Sequence, residues 1–473
     1  MDIEKLSEFV CSLFETKDKT LMKFLVVDDV TSKIMWFVNK KSKVTYNVMT
    51  TTLQKEGYND RSYADAIYII STQSKTLETL ISHLQHPSYH SYYIYFVEEV
   101  SDHIIEMIGT ADIFEVVDSL KVIPLAWKPE TPNLFTTQFP SSKGIISYLK
   151  YQNARPTIVY QKFSEKAKNI AIQICGNTQE ESDETLLLIL DRGFDPYTPF
   201  LPNIGVYGQA VEYGILNDTH VWCNGVVIFA NYTKEVYEMD QSTANDFLRK
   251  VADEHTTLSN EIKRKMTENV VKGGSTIVLN ELSYQKKKVD KKIEEITCLL
   301  EVTNNVMKKM TEKYHNAEEF ASYFKMHFTT PLGKKNEIME VMEAIRDDTQ
   351  NLKYSKMVDA VFPKNLRCNG LFDKKRLYNF YGLYNSAYVP GIVKILDNVF
   401  NYIKGTEELV LPFQTVKGSI KQTKKMVVWI EGGVSLVEEK AVYSWSKSHD
   451  TFPVLLCGNK VLTPESMLSA FFH

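Results

Sequence analysis

Leu187-Leu188-Ile189-Leu190-Asp191-Arg192-Gly193-Phe194-Asp195-Pro196-Tyr197-Thr198-Pro199 is the stretch on which the reading of this 473-residue chain turns. With Leu186 it opens as an unbroken apolar run, suited to a strand buried on both faces of a parallel sheet. It closes as a charged turn. A strand-terminal Asp191 with Asp195 four residues on invites a phosphatase or metal-site reading. The phosphatase pattern wants an Asp two residues after the nucleophile, and Gly193 stands there. Arg192 lies between the two carboxylates and can pair with either, so a turn that fixes the chain path is the preferred reading. A metal-dependent hydrolase using Asp191, Asp195 and Asp28 is the competing enzyme hypothesis.

Two more apolar runs, Met426–Ile430 and Pro453–Cys457, flank a helix-like Leu436–Ser446. Strands seek partners, so both are expected to pair with 186–190. Between them, from about 240 to 410, the apolar period becomes helical. Phe247, Val251, Leu258, Ile262, Met266 and Val270 form one stripe, which Lys272-Gly273-Gly274-Ser275 breaks. Val289, Ile293, Ile296, Leu300, Met307, Met310 and Tyr314 form the next. Two long helices about a Gly-Gly turn predict an antiparallel hairpin of coiled-coil type. The sheet is therefore expected to be split in sequence by a helical insertion. Glu431-Gly432-Gly433-Val434 follows a strand but lacks the third glycine and downstream acid of a dinucleotide turn, and reads as backbone geometry.

Upstream, Lys23–Val27, Ile34–Val38, Ala66–Ser71, Tyr92–Val97 and Val122–Trp127 read as strands. Helical patterns lie between them at about 73–84, 102–109 and 112–119, which predicts a mostly parallel sheet. Asp28-Asp29 and Glu98-Glu99 fall at strand ends, where capping is the preferred role. A loop, Lys128–Lys143, leads to a helix near 143–152, a strand at Thr157–Tyr160 and a helix near 162–175. His83, His86 and His90 read as surface residues because Pro87 interrupts the helix that would align them.

Composition sets the outer limits. The chain is 44% hydrophobic and 24% charged, which excludes collagen-like and wholly disordered classes. A net charge of −4 supplies no global field for nucleic acid, and the Lys286–Lys288 run reads as a solvated helix face. The 6 cysteines include no CxxC pair and are expected to be reduced thiols of a cytoplasmic protein. Apolar runs fall far short of the roughly 20 residues needed to cross a bilayer, so no direct membrane insertion is expected. No P-loop, GxGxxG, HExxH or GxSxG string occurs, and no cofactor or metal is expected.

The charged turn and its strand resemble the signature of the Sec/Munc family, clasp-like proteins that bind syntaxins and SNARE complexes. Lys23–Asp28 resembles that family's first strand. Ala111-Asp112-Ile113-Phe114-Glu115-Val116-Val117, with Thr131-Pro132-Asn133-Leu134-Phe135, resembles the end of its first domain. Val428-Trp429-Ile430-Glu431-Gly432-Gly433-Val434 and Val454–Leu462 resemble its closing strand–helix–strand. Tyr92–Phe96 and Ala111–Val117 look most like the vacuolar-protein-sorting branch of trans-Golgi and endosomal syntaxins. Gly193–Pro196 and Leu462–Pro464 lean toward the exocytic branch, which is the alternative. Val206-Tyr207-Gly208-Gln209-Ala210 stands where the family has a Trp-Thr-Tyr-Gln-Ala run.

The resemblance implies a multidomain α/β fold shaped as a three-domain arch, two parallel-sheet domains with a helical domain inserted in the second. The expected divisions are an N-terminal domain at 1–130, a second domain from 131–212 and 421–473, and a third at 213–420 with its hairpin at about 244–315. It implies a non-enzymatic regulator of vesicle docking and fusion, whose partners are a syntaxin-type SNARE and the assembled SNARE complex. A monomer, recruited peripherally to Golgi and endosomal membranes, is expected. Lys40 and Lys41 fall where the family places basic residues facing syntaxin. Ile105, Val117 and Leu120 fall in the region of the pocket for the syntaxin N-terminal peptide. Lys272, Gly273, Gly274 and Ser275 form the hairpin tip. Asp191, Arg192, Asp195, Pro196 and Pro199 form the structural motif.

Overall fold

The computed structural model describes residues 3–35, 38, 45–53, 61–177, 184–195, 198–200, 208, 211, 221–223, 226–228, 241–272, 280–287, 289–290, 293, 297, 390–409, 413–463 and 466. A short helix, α1 (Ile3–Ser12), precedes the first sheet. The sheet is built from β1 (Met22–Val27), α2 (Asp29–Ile34), β2 (Val48–Thr52), β3 (Ala64–Ile70), α3 (Ser74–Gln85), β4 (Tyr92–Phe96), α4 (Asp102–Ala111) and β5 (Val117–Val122). Its 5 strands are parallel in the order β2-β1-β3-β4-β5. Every residue of the central strands β3 and β4 is buried, as a parallel sheet covered on both faces requires.

Three sequence expectations fail here for local reasons. Ile34 and Met35 do not begin a strand. The Asp28 side chain accepts from the Val30 and Thr31 amides, and the Asp28 amide donates to Thr31 Oγ1, so the chain enters a helix directly after β1. Residues 112–119 do not form a helix, nor Val122–Trp127 a strand. Asp112 accepts from the amides of Val116 and Val117 at 2.8 and 3.1 Å and turns the chain into β5 five residues early. Ile123, Leu125, Ala126 and Trp127 are buried after that strand ends.

The second sheet starts inside the expected loop, with the hairpin β6 (Lys128–Thr131) and β7 (Leu134–Thr136). There follow α5 (Ser141–Tyr151), β8 (Thr157–Gln161), α6 (Glu165–Gly176) and β9 (Thr185–Asp191). A small antiparallel pair comes next, β10 (Val221–Cys223) with β11 (Val226–Ile228), and then the long helix α7 (Gln241–Lys272). After α8 (Gly391–Lys404) come β12 (Phe413–Lys417), β13 (Lys425–Glu431), β14 (Val434–Ser435), α9 (Leu436–Ser448), β15 (Val454–Gly458) and β16 (Val461–Leu462); β12, β13 and β15 complete the second sheet, while β14 and β16 pair with each other as a separate parallel ladder. The 7-stranded order is β12-β8-β9-β13-β15-β7-β6. The expected pairing of 186–190 with 426–430 is present as a parallel ladder, Leu188 opposite Val428, whereas 453–457 pairs not with β9 but with the far side of β13, Val428 opposite Leu456.

The chain divides into two compact units, one running to Thr198 and resuming from Val389 to Leu462, the other beginning at Pro199. In the first, both sheets share one continuous core. Leu25, Val27, Ile67 and Ile69 join Ile158, Leu187, Ile189 and Trp429 through Trp127, Phe135 and Tyr148. The opposite face of the first sheet packs its own cluster, Phe24, Val26, Tyr68, Ile94 and Phe96 against Leu77, Leu80, Leu84 and Ile108. In the second unit the two helical stripes meet. Val251 of α7 is buried with Val289, and Leu258 and Ile293 pack against the pair.

Candidate partner-binding surface

Asp191 ends β9, and its Oδ1 accepts from the Gly193 amide at 2.9 Å. Its Oδ2 accepts from Ser164 Oγ at 2.8 Å, the hydroxyl that also caps α6 through the Ala167 amide. Arg192 turns inward and is buried. Its two terminal nitrogens donate to Glu438 at 2.8 and 2.6 Å, a bidentate pair, and also to the carbonyls of Gly433 and Asp195. The guanidinium lies 4.7 Å from the centre of the Phe194 ring. Gly432, at φ +106°, must be glycine, because a Cβ there would come within 2.8 Å of Arg192 Cβ.

Asp195 is fully buried and faces a different direction. Its Oδ1 accepts from the Thr198 amide at 3.0 Å, and its Oδ2 accepts from Thr198 Oγ1 and from the Gly391 amide, the latter at 2.9 Å. Gly391 is the first residue of α8, so this carboxylate sits at a helix N-terminus, where negative charge is stabilised. One side chain thus joins the turn after β9 to the first turn of α8. Asp28, the third carboxylate of the hydrolase hypothesis, belongs to a separate network in the first sheet. Its Oδ2 accepts from the Ser71 amide and hydroxyl at 2.8 and 2.5 Å and from Thr76 at 3.1 Å. This is the crevice between β1 and β3 where doubly wound sheets bind ligands, and the protein's own groups fill it. The three carboxylates are not brought together. Among the described residues no group of three His, Cys, Asp or Glu side chains could hold a metal.

The residues assigned to partner binding fare unequally. Lys40, Lys41, Pro196, Gly273, Gly274 and Ser275 lie outside the described residues, and of Lys272 only its place as the last residue of α7 is described. Pro199 is buried. Val117 and Leu120 lie on the edge strand β5, half-buried, and pack against the core of the first sheet. Ile105, on the outer side of α4, is 46% exposed. Beside it in sequence, the α4–β5 turn presents Ile113 and Phe114, exposed at 68% and 56%. Sequence reasoning missed these two as site residues because it placed them on a helix. Their signal is an apolar doublet between Asp112 and Glu115, where Asp112 spends its carboxylate on turning the chain. Large apolar side chains grouped at a sheet edge are a candidate docking surface.

Family comparison acts on this geometry. A model described as the Sec1 family matches residues 23–329. This chain belongs to the Sec1 family. Solved structures extend the likeness to the whole Sec1-family chain. The SM protein Vps45 in complex with the Qa SNARE Tlg2 is similar at TM-score 0.68 and 18% identity, covering 100% of this chain and 98% of that one. The Unc18–syntaxin 1 complex from Monosiga brevicollis is similar at TM-score 0.67 and 13% identity, covering 99% and 98%. Sly1p in complex with an N-terminal peptide of Sed5p gives 0.60, 15% identity, and 99% and 97% coverage. At such identities the likeness establishes the fold. Sequence comparison with curated proteins finds no significant match.

Proposed function

We propose that this Sec1-family chain is a SNARE-binding regulator of intracellular vesicle docking and fusion, acting in Golgi–endosome–vacuole transport. The observation that carries the reading is family membership joined to full-length likeness to structures of Vps45 in complex with the Qa SNARE Tlg2 and of the Unc18–syntaxin 1 complex. The mechanism is binding rather than chemistry. Differential affinity for a syntaxin's conformations shifts their populations and favours correct SNARE pairing. The first domain, 1–130, and the hairpin of the inserted domain, 213–420, each contact the syntaxin, and the second domain is the discontinuous one, 131–212 and 421–473. Lys40 and Lys41 face the syntaxin, and the tip at Lys272–Ser275 responds to it. Ile105, Ile113, Phe114, Val117 and Leu120 take an apolar N-terminal peptide of the syntaxin. The protein works as a cytoplasmic monomer that the membrane-anchored syntaxin recruits. Among the described residues no helix is long and apolar enough to cross a membrane.

Calorimetric titration with the cytosolic part of an endosomal syntaxin from the same organism, with and without its N-terminal peptide, tests this. Submicromolar binding that weakens without the peptide is expected. Phe114→Asp should reproduce the loss at unchanged melting temperature, since Phe114 is exposed and contributes little to the core. Binding to a plasma-membrane syntaxin alone would move the protein to the exocytic branch. Silence with every syntaxin would sink the reading.

A further inference from the structure

Among the described residues, four strands form the outer edges of the two large sheets: β2 and β5 in the first, β6 and β12 in the second. An edge strand leaves every second N–H and C=O without a ladder partner, and proteins blunt such edges with charges, prolines or bulges. Three of the four carry these devices. β5 bulges at Asp118, since Tyr92 stands opposite Val117 but Tyr93 opposite Ser119, and Lys17 pairs with that carboxylate. β6 contains Pro129 and shifts register between Pro129 and Thr131. β12 shifts between Thr415 and Lys417 and ends in that lysine.

β2 has none of them. Val48-Met49-Thr50-Thr51-Thr52 holds no charge and no proline, and its ladder runs without a shift from Lys23 opposite Val48 to Val27 opposite Thr52. Four of the five residues are β-branched, which suits them to extended chain. Two bonds that close this ladder give the direction of its backbone groups. Lys23 N–H donates to the Asn47 carbonyl at 3.0 Å, and Leu53 N–H donates to the Val27 carbonyl at 2.8 Å. Alternate residues of a strand face the same neighbour, so Asn47, Met49, Thr51 and Leu53 face β1. Val48, Thr50 and Thr52 direct their N–H and C=O groups the other way. Thr50 and Thr52 are exposed, and Met49, level with Phe24 in the ladder, is 51% exposed. Outward groups that repeat about 6.6 Å apart, two residues at about 3.3 Å each, match the backbone of another extended chain. A helix offers no such row, because its backbone groups bond internally.

We infer that β2 takes an extended, uncharged segment of a partner protein as a sixth strand of the first sheet, its backbone bonded to Thr50 and an apolar side chain beside Met49. β2 lies at the opposite edge from β5, and the inference does not rest on the syntaxin reading. The probe is a labelled seven-residue peptide, valine and threonine alternating between terminal lysines, against a copy N-methylated at every internal residue. The copy keeps each side chain and loses the backbone donors. Anisotropy titration of the full chain should show saturable binding of the unmethylated peptide alone, and hydrogen exchange should slow across Val48–Thr52 on binding. Thr50→Pro should weaken binding about fivefold or more, because it removes an outward donor. The melting temperature of this variant should hold, since proline is tolerated at an edge where the N–H faces away from the sheet. Equal binding of both peptides, undiminished binding by Thr50→Pro, or new protection in another strand instead would overturn the inference. So would silence with both peptides. Self-association of the peptide-free chain that Thr50→Pro abolishes would also overturn it, and would give the edge to a second copy.

Discussion

Glu439 is buried on α9 and accepts from Thr131 Oγ1 at 2.9 Å, in the strand β6 some 308 residues earlier. Burial disfavours its charged form and pushes its pKa up from 4.5 to about 7, against the lowering effect of the Thr131 bond. The sign of the consequence follows from proton counting. Between pH 4.5 and about 7 the folded protein holds a proton that the unfolded chain has released. This residue's contribution is therefore fully present below pH 4.5 and is lost as pH rises through about 7. At about 1.4 kcal/mol per unit, the swing is on the order of 3 kcal/mol. Glu439→Gln keeps an acceptor for Thr131 and cannot titrate. Urea titrations at several pH values should show wild type losing stability relative to this variant from pH 5 to 7.5, and parallel profiles would refute the assignment. Arg192 and Glu438 illustrate the opposite solution at the same scale. There a buried charge keeps its bidentate partner, while Arg192 also donates to the carbonyls of Gly433 and Asp195 and Glu438 accepts from the Ser435 amide and hydroxyl.

Elements are held in place by such residues, and Asp195 is the clearest case. It joins the turn after β9 to the first turn of α8 across a chain separation of 196 residues. Asp195→Asn would set an amide N–H₂ against the Gly391 and Thr198 donors and should cost about 1–3 kcal/mol. Amide exchange should accelerate in the first turn of α8 while the β9–β13 ladder keeps its protection; a uniform change across both would mean that Asp195 is no clamp. The elements that sequence reasoning found are those whose burial is uniform. Leu186–Leu190, Met426–Ile430 and Val454–Cys457 read as strands because every residue in each is buried, and β13 takes the central place with β9 on one side and β15 on the other. The elements it missed are amphipathic or governed by one polar side chain. β2 is mostly exposed threonine at a sheet edge. β6 begins Lys128-Pro129-Glu130, where proline is tolerated only at an edge. β5 was displaced by the Asp112 turn, and that displacement also hid Ile113 and Phe114. The carboxylate temptation at Asp191 and Asp195 was legible as structure because Arg192 was in view. The partner at Glu438 was not, since nothing local announces a contact 246 residues away.

At the scale of the first compact unit, two sheets of separate topology share one core, and Trp127 stands at their junction. Trp127 is wholly buried at the point where the chain passes from β5 to β6. Its ring lies 5.5 Å from Phe135, 5.2 Å from Tyr148 and 5.4 Å from Tyr151, and its indole N–H donates to the Pro124 carbonyl at 3.0 Å. The same cluster continues without a break into Ile67 and Ile69 of β3 and into Leu187 and Ile189 of β9. Sheets that share a packed interior cannot lose it separately, because a cavity left on one side removes contacts from the other. Trp127→Ala should therefore destabilise both by about 3–5 kcal/mol. Hydrogen exchange on the full chain should show protection falling by the same free energy in β3 and β4 as in β9 and β13. If β3 and β4 weaken while β9 and β13 hold, the sheets are energetically independent domains that merely touch. Equal loss would make the region before Thr198 and after Val389 one cooperative body, rigid enough to hold the apolar edge at Phe114 and the open edge at Thr50 in fixed register.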